Sequence, residues 1–244
     1  MKKTFALAVR NGKEILRDPL NLFFGLAFPL LLLLLLTAIQ RNVPADLFTL
    51  EKLTPGVAVF GYSFLTLFSA MLLAKDRAGE FLTRLYAMPI SAVQFIAGYA
   101  LPLFPVAVMQ TVVTFGTAFA LGLKVTGAAF ACAGVSLLSS LFFIALGLVA
   151  GSLLNDKQVG GLCGALLTNL TALTSGAWFD LAMVGGTFNK MAHVLPFANA
   201  VDLGRSAIGG SFAGTLSCWI ILVAYIVVTA VLSVLCFLRQ MKKH

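Results

Sequence analysis

The chain has 244 residues, of which 60% are hydrophobic and 11% charged, with a formal net charge of +8. Soluble domains carry about 25% charged residues, so this sequence cannot cover itself for water and lipid must be its main solvent. The basic excess lies at segment ends, where it sets orientation, and this excludes nucleic acid as a partner.

No Asp, Glu, Lys or Arg occurs in 19–40, 53–74, 85–123, 125–155, 158–179 or 206–238. Each run is long enough for a span of about 20 residues. The runs are continuous, unlike the alternating strands of about 10 residues in a barrel. Backbone in hydrocarbon must bond to itself, so the expected fold is an all-α integral membrane protein with six transmembrane helices, read as one transmembrane domain over 1–244. With both termini inside, inner segments hold twelve Lys and Arg residues and outer segments five (Arg41, Lys52, Lys124, Lys190 and Arg205), as the positive-inside rule requires.

Residues 1–18 open the chain as an amphipathic interfacial helix. At about 100° per residue, Phe5, Ala8, Val9, Ile15 and Leu16 share an apolar arc, and Lys2, Lys3, Arg10, Lys13, Glu14 and Arg17 share the other. Leu7 falls off the apolar arc. Asp18-Pro19 breaks this helix before a first span over about 20–39, a run too long for a signal-peptide core. A short outer loop, 41–54, leads to the second span, about 55–74. The inner segment 75–89 then carries Arg77, Glu80 and Arg84 on one helical face and stops at Pro89. Ser91 and Gln94 form a capping box for the third span, about 92–122, which Pro102 and Pro105 should bend.

The fourth span, about 127–151, returns to a tight turn at Asn155-Asp156-Lys157. The fifth, about 158–178, ends on the interfacial aromatics Trp178 and Phe179. Residues 180–212 are too polar and Gly-rich to cross, and are expected to form short outer helices that dip into the membrane before the last span, about 213–238. Gln110, Thr168, Asn169, Thr171 and Ser175 are the polar residues within spans, candidates either for a cargo path or for bonds between helices. His193 reads as an interfacial histidine. Asp202 and Arg205, three apart, are placed to pair on an outer helix.

The absences narrow the chemistry. There is no Gly-rich phosphate loop ending in Lys-Ser/Thr, and Cys132, Cys163, Cys218 and Cys236 lack metal-ligand spacing. No ionisable residue lies inside a span, where an ion-driven transporter needs one to bind or relay its ion. The chain therefore reads as a bundle without catalytic, cofactor or metal residues, driven by a partner at an inner surface. The surface best suited to that partner is 75–89.

Three stretches in order resemble the type-2 ABC exporter permeases. They are the start ending Ile15-Leu16-Arg17-Asp18-Pro19, the run Arg77-Ala-Gly79-Glu80 through Leu82, Arg84, Leu85 and Met88-Pro89-Ile90-Ser91, and Leu195-Pro196-Phe197 followed by Val201-Asp202-Leu203-Gly204-Arg205. The resemblance covers essentially the whole chain. It implies a permease half in the cytoplasmic membrane, paired with an identical or related second permease. Two ATP-binding cassette subunits would bind ATP and Mg beneath it. It also implies a coupling helix at 75–89 carrying Arg77, Gly79, Glu80, Leu82, Arg84, Leu85 and Pro89, and re-entrant outer helices around Pro196, Asp202 and Arg205. The short 41–54 loop leaves no room for a folded outer domain, and the implied cargo is an amphiphile such as a drug, peptide, lipid or glycan. Two other classes stand against this reading: a lipid-acting membrane enzyme, which needs clustered polar groups at one face, and a non-transporting scaffold or immunity protein.

Overall fold

A computed structural model describes residues 2–42, 48–79, 91–179 and 181–241. In chain order the helices are α1 (Lys2–Leu16), α2 (Pro19–Gln40), α3 (Leu50–Ala78), α4 (Ala92–Ala100), α5 (Leu103–Leu121), α6 (Gly127–Leu153) and α7 (Asp156–Val159). A π-helical segment (Gly160–Leu167) follows, then α8 (Thr168–Thr174), α9 (Leu181–Val184), α10 (Gly186–Val194), α11 (Pro196–Ile208) and α12 (Leu216–Met241). No strand occurs among the described residues.

Among the described residues five stretches are long and apolar enough to cross a membrane: Leu22–Gln40, Leu50–Ala78, Ala92–Leu121, Gly127–Leu153 and Leu216–Met241. The second begins five residues before the expected span and ends four after it. At 1.5 Å per residue it is about 43 Å long, and it is the core of the bundle, with Tyr62, Leu65 and Ala70 fully buried. Its partner is α6, which approaches through glycine: an added Cβ at Gly147 would lie 2.4 Å from the Thr66 carbonyl, and one at Gly151 2.6 Å from that of Ala70. These glycines therefore serve a contact within the chain. Thr66 Oγ1 also donates to the Phe143 carbonyl at 2.9 Å.

The expected bend in the third span is a break between α4 and α5 at Leu101-Pro102. Pro102 has no N–H, which leaves the Gly98 carbonyl without its helical donor. The α4 start is closed by the Ser91–Gln94 capping box as expected. A second capping box, Asn155–Gln158, opens α7.

Residues 156–174 form a composite helix rather than one regular span. Gly160, Gly161 and Gly164 lie in the π segment, where weak helix propensity favours the wider turn. The composite runs antiparallel along α3. Val159 and Cys163 pack with Ala70 and Ala74, Gly164 faces Leu67, and Thr168 meets Ser63. Trp178 then lies edge-on to Phe60 at 5.4 Å between ring centres. Helices α2 and α12 leave long apolar faces open, including Leu31, Leu35, Ile220 and Val227.

Candidate functional site

Polar side chains gather at the two ends of this bundle. At the end that carries α1, three acids and bases meet on the last turn of α3. Arg10 forks onto the Asp76 carboxylate, with Nη2 donating to Oδ1 at 2.8 Å and Nη1 donating to Oδ2. The Tyr99 hydroxyl of α4 donates to the same Oδ2 at 2.5 Å. Asp76 is buried, so its charge is tolerated only because these donors satisfy it. This corrects the expectation that no ionisable residue lies inside a span, since Asp76 is buried on the last turn of the second one. Its signal was a lone Asp followed, 23 residues later, by a Tyr on a neighbouring helix.

The same junction closes the break in the third span. Asn11, fully buried, donates its amide to the Gly98 carbonyl at 3.1 Å, supplying the bond that Pro102 removed. Leu7, off the apolar arc of α1, packs directly on Gly98, where an added Cβ would meet its Cδ2 at 2.7 Å. Helix α1 therefore docks by its Leu7–Asn11 side. Phe5, Val9 and Leu16 of the apolar arc stay exposed. The apolar arc overlaps the face buried in protein only at Ala8 and Ile15.

Arg77 is also committed inside the chain. Its guanidinium donates to the carbonyls of Ser152, in the last turn of α6, and, at 2.9 Å, of Leu154 just after it. Gln240 near the end of α12 donates to the same Ser152 carbonyl. Arg77 and Asp76 belong to α3 itself, which ends at Ala78, and Gly79 then leaves in extended conformation. The expected 75–89 helix thus has its first four residues inside the second span. Glu80, Leu82, Arg84, Leu85 and Pro89 lie outside the described residues.

At the opposite end, α11 is an almost wholly buried helix laid against α3, α6 and α12, with Pro196 in its first turn. Gly204 permits this, because an added Cβ would lie 2.7 Å from Pro55. Arg205 holds the helix to its neighbours, donating from Nη2 to the Gly176 carbonyl at 2.7 Å and from Nε to that of Lys52 at 3.2 Å. It lies 3.8 Å from Asp202, the pairing expected from their spacing. The stronger partner of Asp202 is His193, whose Nε2 is 2.8 Å from Oδ2. His193 Nδ1 is 2.8 Å from the Asn189 carbonyl. Burial lowers the histidine pKa, but two acceptors on its two ring nitrogens outweigh burial and raise it above the ordinary value. His193 is therefore a member of this cluster, not a solitary interfacial residue.

The polar residues expected within spans are mostly turned inward. Gln110 is buried against Gly61, its amide nitrogen without a hydrogen-bond partner among the described residues. Thr171 and Ser175 are buried, with Thr171 donating to the Leu167 carbonyl. Thr168 donates to the Cys163 carbonyl across the π turn. Asn169 is exposed, and its amide donates to the Ala165 carbonyl.

These features describe a polytopic bundle with a charged lock at one end and a buried short helix at the other. No curated protein matches the chain. A family model described as ABC-2 type transporter matches residues 2–208, from the start of α1 to the end of α11. The chain is a multi-pass membrane protein that belongs to the ABC-2 type transporter family, and is a permease component of an ABC transporter.

Proposed function

We propose that this chain is one half of an ATP-driven exporter, moving an amphiphilic cargo outward from the cytoplasmic membrane with both termini in the cytoplasm. In this reading residues 156–174 make a further span, fifth in chain order, beside the five stretches named above. Two ATP-binding cassette subunits bind beneath the α1 end and hold the ATP and Mg. A second permease, identical or related, completes the pore. Glu80, Arg84 and the residues to Pro89 form the docking surface.

The observation that carries this reading is the convergence on the last turn of α3. Residue 79 hands the chain to the coupling stretch one turn after Asp76 and Arg77. Those two side chains hold α1, α4, the α6–α7 turn and, through Ser152, the end of α12. A push on the coupling stretch therefore reaches four elements through short polar contacts. The open side of residues 156–174 supports the pairing. Asn169 sits there among Leu162, Ala165, Leu166 and Leu173, all exposed. An amide facing hydrocarbon is unfavourable, and a partner permease or passing cargo relieves that cost. The buried charge argues against ion coupling, since Asp76 is already neutralised by Arg10 and lies at a helix end rather than mid-span.

The test is co-purification with a cassette ATPase encoded beside this chain, followed by cargo-stimulated ATP hydrolysis. Glu80→Lys is expected to lose the partner. Arg77→Gln is expected to keep the partner and its basal hydrolysis while losing stimulation by cargo. Solute movement by the purified chain alone, driven by an ion gradient and indifferent to ATP, would overturn the proposal.

A further inference from the structure

Because α1 buries Leu7 and Asn11 together with Ala8 and Ile15 at one edge of its apolar arc, the rest of that arc, Phe5, Val9 and Leu16, stays exposed. Phe5 and Leu16 are each 69% exposed. They form one wall of a groove of about 490 Å³, and Leu101, Pro102, Pro105 and Met109 at the break in the third span form the other. A proline break inside a span normally demands a neighbour. Here the Gly98 carbonyl finds one in Asn11, which leaves the other side of the break, with Leu101 51% exposed, as bare hydrocarbon surface.

The charge around the groove specifies what fills it. On the helical projection Lys13, exposed, follows Val9 and Leu16 by about 40–60°. It does not line the groove, but the projection sets it just beyond the Val9 edge, on the side turned away from Leu7. Glu14, the acid of α1, lies on the far side and faces Arg10 at 3.8 Å. An apolar slot with a cation at its rim, on an interfacial helix, matches a chain with an anionic head.

We infer that this groove holds an acyl chain of an anionic phospholipid from the leaflet that carries α1, with its phosphate against Lys13. Such a lipid cements the interfacial helix to the broken span, next to the Arg10–Asp76 lock. The inference rests on the chain lying in a membrane and is independent of the cargo and direction proposed above.

The test uses the full chain in mild detergent, titrated with phosphatidylglycerol or phosphatidylcholine of equal chain length. Lipid retention is read by native mass spectrometry, and thermal unfolding is followed in parallel. Phosphatidylglycerol should bind saturably and raise the unfolding midpoint. Its retention should exceed that of phosphatidylcholine by roughly fivefold, the ratio expected for one Lys near an anionic head. Lys13→Gln should remove that preference, and Met109→Trp, which fills the slot, should lower retention of both lipids. Lys13 is exposed and its variant leaves the packing untouched, so the test survives if Met109→Trp does not fold. Non-saturable retention, equal retention of the two lipids by the unaltered chain, undiminished preference in Lys13→Gln, or the same stabilisation by inorganic phosphate would each overturn the inference.

Discussion

Both ends of this bundle are fastened by an acid and a base, but the two fastenings differ in depth. At the α1 end the Asp76 side chain is 8% exposed and Arg10 35%. At the α11 end His193 and Asp202 are 36% and 35% exposed. A deep pair is held because breaking it strands a charge in a medium that solvates it poorly. A half-exposed pair always has water as an alternative, so its contribution is small. The first end is thus a fixed lock. The second is adjustable, because a histidine can lose its charge near neutral pH.

The largest effect should come from unbalancing the lock. Arg10→Met leaves Asp76 buried with only Tyr99 as donor, and should cost about 3 kcal/mol in thermal or denaturant unfolding in detergent. The double variant Arg10→Met/Asp76→Leu should recover most of that loss. A single variant no weaker than the unaltered chain would erase the contrast between the ends.

Next in size is Gly151→Ala, expected to cost about 1–3 kcal/mol by the same assay, because the new methyl meets the Ala70 backbone, which cannot turn aside. It asks whether the α1 end depends on close helix approach as well as on charge.

The α11 end should respond to pH instead. The folded pKa of His193 is raised, so its stabilising contribution is full below the unfolded value of about 6.5 and is lost as pH rises through the folded value. Hydrogen exchange in α10 and α11 should therefore quicken with rising pH beyond its intrinsic dependence, by an amount under about 1 kcal/mol for so exposed a pair. Asp202→Asn should flatten that extra dependence, and an unchanged profile would remove His193 from the fastening. Smallest of all is Lys75→Gln. Lys75 lies 3.7 Å from Asp18 and is 51% exposed, so unfolding should change by no more than about 0.5 kcal/mol.

Hydropathy and charge placement were enough to give the helical membrane class, the amphipathic first helix, the bend at Pro102 and the short helices before the last crossing. Each is written locally, as an uncharged run, a period of 3.6 or a proline. The Ser91–Gln94 cap was legible for the same reason, and so was the Asp202–Arg205 pairing, since partners three residues apart meet on any helix. The composite character of 156–174 was not legible, because a π turn changes the bonding pattern without changing the apolar run.

The sequence by itself therefore determined the solvent of this protein and its list of helices, because burial in lipid acts on each segment separately. Tertiary structure alone decided which side of α1 is buried, that Asp76 is an interior residue, that Arg77 is spent on the Ser152 and Leu154 carbonyls, and that His193 belongs with Asp202. Arg10 and Asp76 are 66 residues apart in sequence. Only the packing of α1, α3 and α4 brings such groups within hydrogen-bond reach, and no local periodicity records it.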